Sequence, residues 1–447
     1  MDQPETRATE DRSVLVIGAG AAGLAAAQRL AASGLPVTIL EARDRIGGRI
    51  WTHRPASGPP VEAGPEFVHG ESPELAELLE AAGSTIEEIP DHHLRWLGDS
   101  LGENDFGTPW GRILERFPGP TDPDQSFAEF LARRLPDLTP ADRTLAVDYV
   151  EGFNAADQRQ ISTQWLRASE LELGVGAEDS IRRVTSGYDR VIEVLRARAP
   201  TVPVHLEARV RRIEWEPGEV VVETVGPGAS GEHHRAAGAL FTLPLGLLQQ
   251  SPPEGIEFAP DIPSHRAAAG RLAMGAVVKV ALTFREPIWA ALDRRAAEGG
   301  FLHHPGAAFP TWWPLGPHLR LTGWSGGPRA EALARLDDEA ILAIATADLA
   351  AGLGMTLDHV QAALVDRVVF NWPRDPFTRG AYSYAKVGGA GAIRDLAAPI
   401  ESTLFFAGEA TDEAFPATVA GAIRSGYRAA DEILASFRPA DAPSASR

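Results

Sequence analysis

The sequence of 447 residues contains no cysteine. Disulfides, thiolate metal sites, a thiol nucleophile and a thioether link to a cofactor are therefore excluded. No apolar run approaches the ~20 residues of a membrane span, and the polar start MDQPETRATEDR does not resemble a secretory signal. Basic residues are scarce, 42 against 61 acidic ones, and the net charge of −19 argues against a nucleic-acid partner. We expect a cytoplasmic protein without a metal site or a membrane partner.

A nucleotide-binding pattern stands near the N-terminus. The run SVLVIGAG predicts a buried strand, AAGLAAAQRLAASG a helix, and PVTILE a second buried strand. Gly18, Gly20 and Gly23 have the G-x-G-x-x-G spacing, which allows a tight turn, close approach of backbone to a pyrophosphate, and close packing of helix on strand. Glu41 follows about 20 residues later, where a carboxylate accepts hydrogen bonds from ribose hydroxyls. The order of these elements predicts a dinucleotide site.

The stretch EARDRIGGR, which ends the second strand, adds a second feature. Three arginines and the pair Gly47-Gly48 follow the acid within eight residues. A long cofactor held along its length would use a second contact of this kind, because glycine leaves room for a ligand to lie against the backbone. A glycine turn with solvated arginines is the alternative. The pattern by itself does not separate NAD from FAD.

With VEAGPEFVHG, these motifs resemble the N-terminal part of the flavin amine oxidases, the family of monoamine oxidases, polyamine and spermine oxidases and amine-oxidase-type lysine demethylases. The later motifs follow in family order: ARVRRIEW, ALFTLPLGLLQ, MGAVVKVALTF, NWPRDPFTRGAYSY and LFFAGEATDEAFPATVAGAIRSG. The resemblance therefore extends over most of the chain.

The resemblance implies an α/β fold in which two domains are interleaved. A Rossmann-like FAD-binding domain would be assembled from 12–72, 185–262 and 375–435. An α+β substrate-binding domain, a mixed sheet with helices, would take 73–184 and 263–374. The residues alone agree in part, because SFAEFLARRL, ADRTLAVDYVEGF and DDEAILAIATADLAAGL read as helices, and VHLEARVRRIEW and EVVVETV as strands. Residues 1–11 and 437–447 are expected to be flexible tails.

The resemblance also implies which residues contact FAD. Besides the glycines and Glu41, they are Arg43, Gly48 and Arg49 at the phosphate and ribityl region, Val210 at the adenine, Gly408 and Glu409 along the ribityl–pyrophosphate, and Thr418 and Val419 at the isoalloxazine. An ordinary strand residue is the alternative for Val210. Thr418 also begins a predicted helix. Because Ala381 stands where covalent monoamine oxidases have a cysteine, FAD is expected to be bound noncovalently.

Three positions carry the chemistry that the resemblance implies. Lys279 lies in the apolar run GAVVKVALTF, where family members use a lysine to hold a water at flavin N5 and assist reoxidation by oxygen; a solvent-facing strand lysine is the alternative. Tyr382 matches the wall of an aromatic amine cage, and Tyr384 is expected on the same strand face, with paired aromatic packing as the alternative. Trp372 has a family counterpart near the flavin, or is a core tryptophan.

The substrate pocket is expected to include His69, Tyr382 and Thr418. Glu66 and Glu71 flank the stretch FVHG and are expected to attract a second ammonium, with a solvated acidic turn as the alternative. The aromatic stretch HHPGAAFPTWWP either lines the pocket entrance or packs at the surface.

The sequence thus predicts an FAD-dependent amine oxidase. An amine substrate, primary, secondary or a polyamine, would become an imine and then an aldehyde or ketone, with O2 reduced to H2O2. One alternative is a flavin dehydrogenase or desaturase that does not use O2. An L-amino acid oxidase is another, although Phe67 and Val68 stand where those enzymes have a carboxylate-binding arginine. A flavin-binding scaffold or electron-transfer module is the non-enzymatic alternative.

The coiled-coil insertion of the lysine demethylases has no counterpart, so a chromatin role is not expected. The oligomeric state stays open, with a homodimer among the alternatives.

Overall fold

The computed structural model describes residues 12–55, 58–70, 72–90, 92–96, 100–104, 107–119, 121–173, 181–226, 231–291, 293–315 and 319–437. Both expected tails lie outside these ranges except for Phe437. This residue caps the last helix and packs against the core, so the folded chain extends one residue beyond the expected start of the tail.

Helices and strands are mixed along the chain. The helices are α1 Ala21–Ala32, α2 Pro73–Ala81, α3 Gly107–Leu114, α4 Phe127–Arg134, α5 Pro140–Phe153, α6 Thr163–Leu173, α7 Asp189–Ala197, α8 Leu245–Leu248, α9 Pro263–Arg271, α10 Arg294–Glu298, α11 Gly327–Leu333, α12 Asp338–Leu353, α13 Leu357–Ala363, α14 Ala392–Ala397 and α15 Val419–Ser436. The strands are β1 Val14–Ile17, β2 Val37–Leu40, β3 Thr52–His53, β4 Val61–Glu62, β5 Phe67–Val68, β6 Ile86–Glu88, β7 His93–Trp96, β8 Leu101–Glu103, β9 Arg182–Val184, β10 Val204–His205, β11 Arg209–Glu216, β12 Glu219–Val225, β13 Glu232–Ala236, β14 Gly238–Phe241, β15 Glu257–Ala259, β16 Leu272–Met274, β17 Val277–Phe284, β18 Phe301–His303, β19 Thr311–Pro314, β20 Arg320–Gly326, β21 Leu364–Asn371, β22 Ser383–Ala385 and β23 Leu404–Phe406.

A five-stranded parallel sheet carries the nucleotide-binding pattern. Its strand order is β10-β2-β1-β14-β23, and every neighbouring pair is parallel. Helices α1 and α15 cover one face, and a four-stranded sheet, β13-β12-β11-β15, lies on the side of the other. Burial on both faces explains why these strands are short continuous apolar runs in the sequence. The predicted strands at the N-terminus and the helix between them are confirmed.

A seven-stranded mixed sheet forms the second large layer, in the order β21-β17-β20-β19-β18-β7-β8. Strand β17 lies inside it, paired antiparallel with β20 and β21, so that Lys279 stands opposite Trp324 and Phe370. Helices α12 and α13 pack on this sheet, and α12 is capped by Asp337 at its start and by Gly354 at its end.

The two large sheets draw on different chain segments. The five-stranded sheet uses strands from 12–72, 185–262 and 375–435, and the seven-stranded sheet uses strands from 73–184 and 263–374. Two smaller sheets, β16-β22 and β5-β9-β6, join segments across this division. The division into domains itself stays a prediction.

Within the described residues no single helix is long and apolar enough to span a membrane. Helices α12 and α13, which are bent by 111° relative to each other, meet the length and composition of a span only when taken together.

Candidate active site

The glycine-rich turn between β1 and α1 lies at the carboxyl end of the parallel sheet. Gly18 has a φ of +108°, and a Cβ there would lie 2.7 Å from Thr242 Oγ1. A Cβ on Gly23 would lie 2.0 Å from the Gly18 carbonyl oxygen, so only glycine lets α1 pack this closely on the turn. A Cβ on Gly20 would meet no protein atom within 4 Å, and this residue lines a large cavity. The start of α1 therefore offers an open, positively polarised surface for a phosphate.

Glu41 lines the same cavity. Its carboxylate is 6% exposed and accepts hydrogen bonds from the backbone N–H groups of Ala19, at 2.8 Å, and Arg43, at 2.9 Å. These two bonds fix the carboxylate, which can accept further hydrogen bonds. Val210, on β11, lines the cavity as well. This arrangement suits a ribose with two free hydroxyls.

The two arginines of the expected phosphate region line the cavity but are already paired. Arg43 makes two hydrogen bonds to Asp375, at 2.7 and 2.9 Å. Arg49 donates to Glu409, at 2.8 Å, and to the carbonyl of Ala381, at 2.7 Å. Their positive charges are therefore balanced by carboxylates of distant segments, and their effect on a phosphate is weaker than that of a free guanidinium.

The first turn of helix α15 lines the cavity. The Thr418 hydroxyl caps the helix by accepting from the Gly421 N–H at 3.0 Å, and Thr418 and Val419 both line the cavity. Gly408 and Glu409 lie on the adjoining wall, where Gly408 has a φ of +131° and Glu409 is held by Arg49 and by the Ser383 hydroxyl at 2.7 Å. The unpaired N–H groups of the helix start favour negative charge on a ligand placed there.

One continuous cavity of about 1930 Å³ joins all these elements. Drug-sized ligands occupy pockets of about 300–1,000 Å³, so this cavity has room for a dinucleotide and a second molecule. The glycine-rich turn, Glu41 and the α15 terminus all line it. The residues present therefore fit a flavin dinucleotide.

Lys279 lies in the cavity wall with 1% of its surface exposed, so the solvent-facing alternative is wrong. Its ammonium donates to the carbonyl of Glu62 and to the carboxylate of Glu66, each at 2.6 Å. Glu66 also lies 3.0 Å from the Arg183 guanidinium and accepts from the Trp313 indole at 3.0 Å. Two of the three ammonium hydrogens are thus used by the protein, which leaves one for a ligand or a water in the cavity.

The aromatic walls expected from the sequence face the same space. The Tyr382 hydroxyl donates to the carbonyl of Phe153 at 2.7 Å, and the Trp372 indole donates to the carbonyl of Ala63 at 2.8 Å. His69 lies beside them with its ring 5.5 Å from that of Phe153. Burial lowers the pKa of His69 to about 4, so its ring is neutral at neutral pH. These walls are apolar and suit a neutral amine.

Two expectations about the pocket change, and one alternative that the sequence left open is decided. Glu66 does not remain available for a second ammonium, because Lys279 and Arg183 already neutralise it; Glu71 lies outside the described residues. Tyr384 does not share the cavity wall with Tyr382, because β22 begins only at Ser383 and the alternation of strand faces does not reach Tyr382. Tyr384 packs in another core cluster, and its hydroxyl accepts from the Asp157 N–H at 3.3 Å. The aromatic stretch 303–314 does line the cavity, through His303, Pro305, Pro310, Thr311 and Trp313.

Sequence reasoning missed a polar cluster on the helical side of the cavity. Glu170 of α6 accepts from the Tyr149 hydroxyl, at 3.1 Å, and from the Trp110 indole, at 3.4 Å. Tyr149 and Phe153, four residues apart on α5, stack with their ring centroids at 5.2 Å. An aromatic pair at helical spacing was the available signal, but nothing in the sequence showed which way that face of α5 points.

Comparison with known proteins gives the family. The family profile described as flavin-containing amine oxidoreductase matches residues 21–100 and 97–434. The chain belongs to the flavin-containing amine oxidoreductases. For this amine oxidoreductase the predicted family, the fold class and the assignment as an enzyme are confirmed, and its cofactor is a flavin.

Its relatives include two kinds of flavoenzyme. The amine oxidoreductase is 29% identical over 464 residues to lysine-specific histone demethylase 2 of Homo sapiens. The aligned region covers 95% of this chain and 54% of the demethylase. It is 29% identical over 461 residues to polyamine oxidase 2 of Arabidopsis thaliana. That aligned region covers 96% of this chain and 89% of the oxidase. The chain spans about half the length of the demethylases that it matches.

Solved structures share the fold. Cyclohexylamine oxidase from Brevibacterium oxydans aligns with a TM-score of 0.79 at 22% identity, over 96% of this chain and 99% of that chain. Wild-type putrescine oxidase bound to putrescine aligns with a TM-score of 0.76 at 24% identity, over 95% of this chain and 99% of that chain. At these identities the likeness establishes the architecture of the amine oxidoreductase.

Proposed function

We propose that this chain is an amine oxidase that binds FAD noncovalently, oxidises an amine to an imine, and uses O2 as the electron acceptor with release of H2O2. One observation carries the proposal: a single cavity connects the dinucleotide elements, Gly18, Gly20 and Glu41, with Lys279 and Tyr382. The cofactor supplies the hydride acceptor. The chain supplies binding, orientation and exclusion of water.

The protein groups each contribute a definite part. Tyr382 and Trp372, held by hydrogen bonds to backbone carbonyls, form apolar walls that orient the substrate carbon. Because neutral His69 and these rings disfavour an ammonium beside them, the reacting nitrogen is expected to be neutral when oxidation occurs. The start of α15 stabilises negative charge that develops on its side of the cavity. Lys279 supports oxidase over dehydrogenase chemistry, since it places a fixed cation in the wall where oxygen would be reduced.

Noncovalent binding is supported by Ala381, which precedes Tyr382 and cannot form a thioether. Its carbonyl instead accepts from Arg49. The substrate would be a primary or secondary amine or a polyamine. Relatives that carry the names polyamine oxidase and putrescine oxidase support that class.

The deciding experiment is a panel of amines tested on the purified yellow protein. Benzylamine, cyclohexylamine, putrescine, spermidine and spermine are added anaerobically, and the loss of flavin absorbance is followed. Air is then admitted, and peroxide is measured with a peroxidase-coupled dye. At least one amine is expected to bleach the flavin, with stoichiometric peroxide on reoxidation. No bleaching by any amine would refute amine oxidation, and bleaching without peroxide would favour a dehydrogenase.

A further inference from the structure

The side chain of Arg45 contacts the loop that contains it. Its guanidinium donates to the backbone carbonyls of Gly48, at 2.9 Å, of Ile46, at 3.2 Å, and of Ile50, at 3.5 Å. It also lies over the Trp51 ring, 4.9 Å from the ring centroid. Among the described residues no carboxylate lies within ion-pair distance of Arg45, in contrast to the other two arginines of this stretch. Arg45 therefore fixes carbonyls of its own loop and does not form an ion pair.

The same loop contributes to the wall of the cavity. Gly47, Gly48 and Arg49 line the cavity, whereas Arg45 and Trp51 do not. Gly47 and Gly48 have φ values of +99° and +59°, in the left-handed region that favours glycine. Within the part of the chain that the structure describes, the N–H groups of Gly48 and Arg49 have no acceptor. Arg45 thus binds carbonyls of the loop, and two backbone donors of the loop remain for a ligand.

The loop lies directly against the glycine-rich turn. The Gly47 N–H donates to the Ala19 carbonyl at 2.8 Å, and a Cβ on Gly48 would lie 3.4 Å from the Cα of Gly20. Gly20 stands immediately before α1, whose first turn favours a phosphate. Because the two segments touch, a phosphate bound at the start of α1 would adjoin the loop as well.

The positive charge of Arg45 is disfavoured in the protein alone. Burial lowers the pKa of Arg45, Arg43 lowers it further, and Glu41, Asp375 and Asp44 offset this only in part. An anion on the cavity side of the loop would stabilise the guanidinium, because only one backbone segment would separate the two charges. The diphosphate of a flavin dinucleotide is such an anion.

We propose that Arg45, supported by the Trp51 ring, is a positioning residue for the FAD diphosphate. It fixes the loop so that the N–H groups of Gly48 and Arg49 are presented to the phosphates, without touching the cofactor itself. This inference rests on the FAD binding proposed above. It gives a function to an arginine that is not among the cofactor contacts expected from the sequence.

The test measures FAD binding by the holoenzyme without turnover. The yellow protein is diluted stepwise, and the fluorescence of released FAD gives the dissociation constant. At high protein concentration, phosphorus NMR observes the diphosphate of the bound FAD directly. The proteins are wild type, Arg45→Gln, Arg45→Lys, Trp51→Leu and Arg29→Gln. Arg29 is the matched control, because it is an arginine of α1 whose side chain is 46% exposed and pairs with Asp431.

Arg45→Gln is expected to weaken FAD binding about tenfold to a hundredfold, the range of one charged hydrogen bond, and to shift the phosphorus resonances of the bound FAD. Arg45→Lys should recover part of the affinity, because an ammonium keeps the charge and can still donate to a carbonyl. Trp51→Leu should weaken binding about twofold to fivefold, the range of an exposed cation–π contact. Arg29→Gln should change neither measurement.

Phosphorus resonances of Arg45→Gln that coincide with those of wild type would overturn the proposal, and so would an FAD affinity within about twofold of wild type. An Arg45→Lys variant that binds FAD no better than Arg45→Gln would also overturn it. If Arg45→Gln does not fold, Arg45→Lys and Trp51→Leu decide by the same two measurements. An effect of either on the FAD affinity and the phosphorus resonances would support the proposal, and wild-type values for both would overturn it.

Mass analysis of the released flavin separates this result from the proposed function. Release of FMN or riboflavin in place of FAD would refute the proposed cofactor and this inference together. FAD whose binding does not respond to Arg45 would refute this inference alone. Failure of every amine to bleach the flavin would refute amine oxidation and leave the FAD measurements unchanged.

Discussion

Replacing Glu66 with glutamine removes the one charge that the structure places between two buried cations. Glu66, Lys279 and Arg183 have side chains that are 8%, 1% and 3% exposed, and the ammonium and guanidinium lie 2.6 and 3.0 Å from the carboxylate. Burial alone would raise the pKa of Glu66, but the two cations hold it below its usual range, so it is charged at neutral pH. Glutamine keeps the shape and leaves both cations unpaired. Breaking a buried pair in this way costs about 3–5 kcal/mol.

Lys279→Met should cost less. Glu66 would keep Arg183 and the Trp313 indole as partners, so the expected loss is about 1.5–3 kcal/mol, that of one charged hydrogen bond. The double variant should be more stable than the sum of the single effects by about 1–3 kcal/mol, because removing Lys279 also removes one of the two stranded cations.

Differential scanning calorimetry of the four holoenzymes at one scan rate is the assay. Unfolding entropy of about 2.1 cal/mol/K per residue makes 1 kcal/mol equal to about 1 °C for 447 residues. We expect Glu66→Gln to melt about 3–5 °C below wild type. The matched control is Glu77→Gln, which breaks an exposed pair with Arg198 and should shift the midpoint by less than about 1 °C. The stability loss of Glu66→Gln could instead be no greater than that of Lys279→Met, and the loss of the double variant could equal the sum of the two. That result would contradict the inference that Glu66 stabilises both Lys279 and Arg183.

Four further outcomes are expected. In stopped-flow kinetics Lys279→Met should leave flavin reduction by amine within about tenfold and slow reoxidation by oxygen by tens to about a thousandfold, the effect of losing ~2–4 kcal/mol of charge stabilisation; equal small effects on both would contradict the oxygen role. Glu41→Gln should weaken FAD binding by roughly 1–3 kcal/mol in a fluorescence titration without unfolding the apoprotein, and unchanged affinity would place Glu41 away from the ribose. Acid precipitation should release the flavin into the supernatant, because Ala381 cannot form a thioether; yellow pellets would disprove this. Burial raises the pKa of Glu170 from 4.5 to about 7, so the stability that this group contributes is fully present below about pH 4.5 and is lost as the pH rises through about 7. The melting temperature of wild type minus that of Glu170→Gln should therefore decrease from about pH 5 to about pH 8. An increase of this difference over the same range would show the sign to be wrong.

The elements that the sequence predicted well are those whose signal is local. The strand at 14–17, the helix after it and the start of α15 each follow from a short apolar run, a glycine or a capping residue, and the structure has them within one or two residues of the predicted positions. The G-x-G-x-x-G turn belongs to the same class. Its spacing specified where glycine is required, and the contacts of Gly18 and Gly23 give the steric reason.

The parts that the sequence could not supply depend on contacts between distant segments. Lys279 and Glu66 are 213 residues apart, and Arg43 and Asp375 are 332 apart, so no spacing rule connects them. The sequence offered Glu66 as an ammonium site because this acid flanks the stretch FVHG. The fold brought a lysine and an arginine against it and made it a structural anion.

The amino-acid sequence by itself thus predicted the family, the fold class and several of the residues that line the cavity, because motif spacing and apolar runs encode backbone geometry over a few residues. The tertiary structure decided which charges are free. It neutralised Glu66, Arg43 and Arg49 through partners from remote segments, and it left Glu170 in the cavity wall with uncharged partners. Burial and pairing set the electrostatics of a site, and both are properties of the packed molecule rather than of any stretch of its chain.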